Sequence, residues 1–260
     1  MPELPEVETI VRALAEQLRG RLIESAQYWP SRVFRGVMPP ELSGAHVKEV
    51  RRHGKYVLVE LNRGHLAIHL GMTGKLLFDV PYSKYTRAEW RFEGFRLGLE
   101  DIRQFGRVIW AEQIPEELQK LGPDPLEISV EEFVSRARGH RTGIKSLLLT
   151  QTFVRGIGNI YADELLFRAK VHPGRTSGAL PKKVLGRMWE EMTALLAEAI
   201  AHGGSSISDY VDTAGRKGSF QKEHRVYGRE GEPCRSCGSP IRKTVLAQRG
   251  THYCPVCQEP

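Results

Sequence analysis

The chain has 260 residues, is 40% hydrophobic, and carries 38 Lys and Arg against 31 Asp and Glu, a formal net charge of +7. That is enough apolar material for one large core or two modest ones without covalent staples. No run approaches the roughly 18 apolar residues of a spanning helix, and the start lacks the basic and apolar regions of an export signal. The expectation is a cytoplasmic protein with no membrane attachment, whose basic balance favours an anionic partner.

The first element is an amphipathic helix over 5–18, because Val7, Ile10, Val11, Leu14 and Leu18 recur at helical spacing and Gly20 can end it. Short alternating or β-branched runs follow: AHVKEV, KYVLVEL, HLAIHL, KLLFDV, EWRF, FRLGLE and RVIWAE, separated by turn residues. They predict an antiparallel β-sandwich or barrel carrying the N-terminal helix. The stretch LGPDPLEIS at 121–129 is turn-rich and aperiodic and reads as a linker. Beyond it, helices are predicted near 130–138, 143–150, 159–169 and 181–202. The last 35 or so residues are short of periodicity and hold all four cysteines. Four segments are therefore expected: 1–121, a linker at 122–130, a helical domain at 131–224 and a C-terminal module at 225–260.

Cys234, Cys237, Cys254 and Cys257 form two C-x2-C pairs separated by sixteen residues, a spacing that offers four thiolates to one tetrahedral Zn²⁺. Two disulfides are the rival, disfavoured where thiols stay reduced. Four thiolates close the coordination shell, so the metal would fix a β-hairpin and would not activate water. That hairpin would carry Arg249 near its tip, either as a phosphate contact or as a solvated charge. Residues 215–249 hold nine Lys or Arg against three Glu, which reads either as the place where a phosphate backbone would lie or as a loop kept solvated by charge. In RGIGNIYADE at 155–164 two glycines and Asn159 precede a helix. The sixth position of a dinucleotide fingerprint is Tyr161 and no strand precedes it, so no nucleotide cofactor is expected. A plain helix–turn–helix junction or a phosphate clamp remains.

Three separated blocks, PELPEVE at the start, GIGNIYADE in the middle, and VYGREGEPC with QRGTHYCPVCQ at the end, resemble the formamidopyrimidine-DNA glycosylases, bacterial repair enzymes for oxidised purines. The resemblance spans nearly the whole chain. It implies an α+β multidomain fold: a helix and β-sandwich, a helix-two-turn-helix domain and a zinc finger. The related endonuclease VIII branch, directed at oxidised pyrimidines, typically has Gly where this chain has Leu4 and Trp where it has Tyr253. The purine branch fits better. Its pyrimidine counterpart and a catalytically silent zinc-dependent DNA-binding protein are the rival readings.

The resemblance also implies roles. Removal of Met1 would leave Pro2 as a secondary amine, and an α-amino group with a pKa near 7.7–8.0 is roughly a tenth neutral at pH 7, far more than an ordinary lysine. Attack at C1′ of a damaged nucleotide would give an iminium, the electron sink for β- and δ-elimination. Glu3 would be the acid–base group at the sugar and Glu6 a positioning carboxylate; without the resemblance both would read as first-turn acids complementing the helix dipole. HLGMTG and DIRQFGR match two intercalation loops. They place Met72, Arg103 and Phe105 in the space left by the extruded nucleotide, with Arg103 on the orphaned cytosine. Lys55, His69, Asn159 and Arg249 match phosphate-binding positions, and Lys145 a lysine near the damaged base. The segment 214–229 resembles a flexible loop that closes over the flipped base. Damaged double-stranded DNA is the implied partner of a monomeric enzyme with one structural zinc. Thr150, Arg155 and KYTRAEW at 84–90 depart from the family pattern and leave lesion preference open.

Overall fold

The computed structural model describes residues 1–35 and 37–259. Its contacts divide the chain into two compact units: Met1–Lys120 with Ile200–Gln221, and Leu121–Ala199 with Lys222–Pro260.

The first unit opens with α1 (Leu4–Leu18), whose apolar stripe Leu4, Val7, Ile10, Val11, Leu14 and Leu18 is buried as its spacing requires. Eight strands follow: β1 (Ser25–Tyr28), β2 (Val47–His53), β3 (Tyr56–Leu61), β4 (His65–His69), β5 (Lys75–Phe78), β6 (Thr86–Phe92), β7 (Phe95–Glu100) and β8 (Arg107–Ala111), then a short α2 (Glu116–Gln119). They make two antiparallel four-stranded sheets, in the orders β1-β6-β7-β5 and β2-β3-β4-β8. Leu14, Leu18, Val47, Val59, Ile68, Trp90 and Leu97 belong to one buried core fed by the helix and both sheets. The expected helix and seven expected strand runs are present. The sequence reading lacked β1, whose 4 residues SAQY alternate exposed and half-buried and include no β-branched side chain.

The second unit contains α3 (Val130–Arg138), α4 (Ile144–Leu149), α5 (Asn159–Arg168) and α6 (Lys182–Ala201), with α6 ending at the unit boundary, and a hairpin of β9 (Arg242–Leu246) and β10 (Arg249–Tyr253). Ser129 caps α3 by accepting the Glu132 N–H. Phe133 and Phe153 meet at 5.3 Å in the helical core. Phe167, Val226, Ile241, Cys234 and Cys254 form a small separate cluster under the hairpin. Arg155 accounts for its own departure from the family pattern. Its guanidinium donates to Gly122 O at 3.3 Å and lies 3.5 Å from Asp124, fastening the proline-rich 121–129 segment to the turn before α5. Thr150 ends α4, with its hydroxyl donating to Ser146 O.

Leu14 is fully buried between α1 and the sheets. Leu14→Ala is expected to cost about 3 kcal/mol through lost transfer energy and an unfilled cavity, read as a lower urea midpoint with an unchanged slope.

Candidate DNA-processing site

Glu6 ties down the N-terminus. It is 1% exposed and reaches back along the first turn to accept the Glu3 N–H at 2.8 Å through Oε2, one half of a capping box. Its other oxygen accepts the Ser205 N–H at 2.7 Å. Gly204 makes that approach possible: it sits at φ 77°, and a Cβ there would lie 2.6 Å from Glu6 Oε1. The Tyr210 hydroxyl donates to Glu6 O at 3.3 Å. Pro2, Glu3 and Glu6 are thus gathered in one buried turn within the first unit. Gly204 and Ser205 were not singled out from sequence. Nothing local marks them, because they act on a residue 199 positions away.

Lys55 follows the tight Gly54 turn between β2 and β3 and is 8% exposed. Next to it, the sheet register aligns Tyr56 with His69 and His69 with Arg107. Tyr56 lies 4.9 Å from the His69 ring and donates its hydroxyl to Glu117 at 2.7 Å, while Arg107 pairs with the same carboxylate at 2.5 Å. The Gly71 N–H donates to His69 Nδ1 at 3.0 Å, so the imidazole proton is on Nε2. Burial, then the charges of Lys55 and Arg107, lower the His69 pKa to about 4. It is therefore a neutral N–H donor at physiological pH.

Met72 and Phe105 are 42% and 53% exposed and so are not core residues. They lie on the turns after β4 and before β8. Arg103 is exposed as well, with its guanidinium 4.6 Å over the Phe105 ring. Gln104 between them takes φ 55°, a left-handed conformation that a non-glycine residue adopts at some cost.

In the second unit the four cysteine Sγ atoms all lie within 4.8 Å of one another. A tetrahedral ZnS4 centre has S–S edges of about 3.8 Å for Zn–S bonds of about 2.3 Å, and the Cys234–Cys257 and Cys237–Cys254 pairs stand at 3.9 and 3.4 Å. Backbone N–H groups of Ser236 and Cys257 point at Cys234 and Cys254 sulfurs, a donor set suited to thiolates. The residues fit one structural Zn²⁺. The hairpin turns through Ala247 and Gln248, both at positive φ, and leaves Arg249 exposed beside the turn.

Three successive residues of β10 are pinned from α4 and α5. Asn159 Nδ2 and Lys145 Nζ donate to Gly250 O at 2.9 and 3.1 Å, Lys145 also donates to Thr251 Oγ1 at 2.8 Å, and Asp163 Oδ2 accepts the His252 N–H at 2.8 Å. The Lys145–Asp163 ion pair closes at 2.6 Å with both side chains fully buried. Lys145, expected near the damaged base, is placed inside the second unit, where these contacts hold the hairpin that carries Arg249. Gln151 fixes the glycine turn before Asn159, donating to Ile157 O and accepting from Gly156 N–H. Glu164 accepts the N–H groups of Arg225, Val226 and Tyr227. Within the segment read as a mobile loop, Phe220 is fully buried, and the continuous exposed stretch is 214–217. Asp163, Glu164 and Gln151 were not identified from sequence, where they read as ordinary helix and turn residues.

A β-sandwich with its leading helix, helices joined by two turns and a four-thiolate hairpin define a multidomain zinc-finger protein of the DNA-binding class. Models of the formamidopyrimidine-DNA glycosylase N-terminal domain, of its H2TH domain, and of a zinc finger found in FPG and IleRS match residues 1–108, 121–211 and 231–260. The formamidopyrimidine-DNA glycosylase of Solibacter usitatus is 48% identical with both chains fully covered, and that of Geobacillus kaustophilus 42% identical over 99% of this chain and all of its own. The MutM (Fpg) protein of Thermus thermophilus superposes with a TM-score of 0.89 at 38% identity, covering 99% of this chain and 98% of its own. Lactococcus lactis Fpg bound to DNA containing an abasic site matches at 0.88 and 35%, over 99% of this chain and 100% of its own. The chain belongs to the formamidopyrimidine-DNA glycosylase family, whose enzymes are DNA glycosylases of base-excision repair. No described helix is long and apolar enough to cross a membrane.

Because His69 is held neutral, the unfolded chain binds more protons than the folded one between the ordinary histidine pKa and about 4. Its contribution is complete above pH 6.5 and is lost as pH falls toward 4. His69→Gln should therefore flatten the acid side of a melting-temperature profile over that window while leaving the neutral side level.

Proposed function

We propose that the protein removes oxidised purines, 8-oxoguanine and formamidopyrimidines, from duplex DNA opposite cytosine and then cleaves the strand by β,δ-elimination. The observation that carries this reading is the buried turn in which Pro2 and Glu3 are held by the Glu6 carboxylate. With Met1 removed, the Pro2 secondary amine attacks C1′ and the damaged base departs with a proton. Protonation of O4′ then breaks the C1′–O4′ bond and opens the sugar, and the nitrogen, having no remaining hydrogen, becomes an iminium with C1′ that withdraws electrons through C2′. Proton abstraction at C2′ expels the 3′ phosphate, and a second elimination expels the 5′ phosphate. Glu3 exchanges protons with the sugar during opening and elimination. Glu6 positions the turn.

Lys55, the neutral His69, Asn159 and Arg249 contact backbone phosphates, so affinity falls with salt. Met72 and Phe105 fill the space left by the extruded nucleotide, and Arg103 pairs with the orphaned cytosine. Lys145 lies near the damaged base, and its ion-pair partner Asp163 serves the Arg249 contact by holding the hairpin. The enzyme works as a monomer in the cytoplasm on nucleoid DNA, with one structural zinc and no nucleotide cofactor. The domain boundaries that go with this reading are 1–121, 131–224 and 225–260.

Single-turnover release from 8-oxoguanine:cytosine and thymine glycol:adenine duplexes tests the lesion class. The purine lesion should be processed faster, and Glu3→Gln should lower its release by about 100-fold or more, within the range general acid–base groups contribute, while gel-shift affinity persists. Faster processing of thymine glycol would move the enzyme to the pyrimidine-directed reading. Binding without release of either base would make it a silent binder.

A further inference from the structure

Asp101 follows β7 and is fully buried. Its Oδ1 accepts the Thr73 hydroxyl at 2.5 Å and its Oδ2 accepts the Gly106 N–H at 2.8 Å. Thr73 Oγ1 in turn accepts the Arg103 N–H at 3.1 Å. Thr73 is the residue after Met72, and Gly106 the residue after Phe105. One carboxylate therefore grips the chain immediately beside each of the two exposed apolar side chains, and through Thr73 it reaches the backbone of Arg103.

The grip is itself anchored. The Asp101 N–H donates to Tyr85 O at 3.0 Å, and Arg87 Nε donates to Asp101 O at 3.0 Å. Tyr85 and Arg87 belong to the KYTRAEW segment that departs from the family pattern. The two turns also touch directly: a Cβ on Gly71 would lie 2.5 Å from the Phe105 carbonyl carbon, and one on Gly106 3.0 Å from Asp101 Oδ2. Neither turn has room to move without the other. A buried carboxylate demands donors, and here it draws them from both turns.

We infer that Asp101 and Thr73 are positioning residues that lock the Met72 and Phe105 turns into one rigid wedge, and that this lock sets how far the enzyme favours a base still stacked in the duplex over an abasic site. The inference rests on the glycosylase reading above. Extruding a stacked base costs unstacking and unpairing energy, whereas an abasic nucleotide has no base to unstack. A wedge returns that cost only if it keeps its shape on insertion. Loosening the lock therefore burdens base release more than strand cleavage at an abasic site.

The variants are close in size. In Asp101→Asn the amide NH2 must face either the Gly106 N–H, donor against donor, or the Thr73 hydroxyl, whose own proton then loses its acceptor. Thr73→Val removes the hydroxyl and leaves the Arg103 N–H and one Asp101 oxygen without partners, and Thr73→Ser restores it. Full-length proteins are compared in single turnover on an 8-oxoguanine:cytosine duplex and on the same duplex carrying an abasic site. Asp101→Asn and Thr73→Val should slow base release by about tenfold or more, the usual scale of an unsatisfied buried polar group, with a clearly smaller effect on abasic cleavage. Thr73→Ser should follow the wild type on both. Should Asp101→Asn fail to fold, the Val and Ser pair, differing from one another at one side chain, carries the comparison. Equal losses on the two substrates, release that stays level with the wild type, or a Val variant that matches the Ser variant would each overturn the lock. Failure of the functional reading is a separate observation: wild-type protein would then release no base from the 8-oxoguanine duplex.

Discussion

Everything at the N-terminal site depends on the burial of one carboxylate. Glu6 gives up water and recovers two backbone donors, Glu3 N–H from its own helix and Ser205 N–H from a segment that returns to the first unit late in the chain. Removing either donor would leave a buried charge short of partners, a cost of about 1–3 kcal/mol or more for a charged group. The start of a chain is ordinarily its least ordered part. Here it is fixed from both sides, which is what a reactive group at the first residues requires.

The same device recurs with different loops as its object. Asp101 takes N–H and O–H donors from the two wedge turns, Asp163 takes the His252 N–H from the hairpin strand, and Glu164 takes three consecutive N–H groups from 225–227. Burial raises the Glu164 carboxyl pKa above its ordinary value despite those three donors. Each acid sits on or beside a regular element and holds a separate segment of chain. Loops are normally the mobile part of a structure, and Asp101 and Glu164 tie such segments to the scaffold by hydrogen bonds.

Much of this architecture was legible in the sequence because it is periodic or locally spaced. The α1 stripe, seven strand runs and the four-cysteine pattern each declare themselves within a short window. β1 did not, since SAQY is only 4 residues long and has no β-branched residue. The division into two sheets depends on pairing across long separations, as does the grouping of Ile200–Gln221 with the first unit. Pro2, Glu3 and Glu6 were picked out by resemblance, and the first-turn position of the two glutamates alone would have read as dipole complementation. Their partners Gly204 and Ser205 carry no local mark. Lys145 was likewise named by resemblance, and its partners Asp163 and Thr251, 18 and 106 residues away, carry no mark in its local sequence.

The central claim is that Glu6 fixes the turn in which Pro2 is the nucleophile. It is tested most directly by incubating the protein with an 8-oxoguanine:cytosine duplex and borohydride, then mapping the reduced adduct by mass spectrometry. The account predicts a protein lacking Met1 and a single covalent DNA adduct on the Pro2 nitrogen. An adduct on a lysine, or base release from protein that retains Met1, would contradict it.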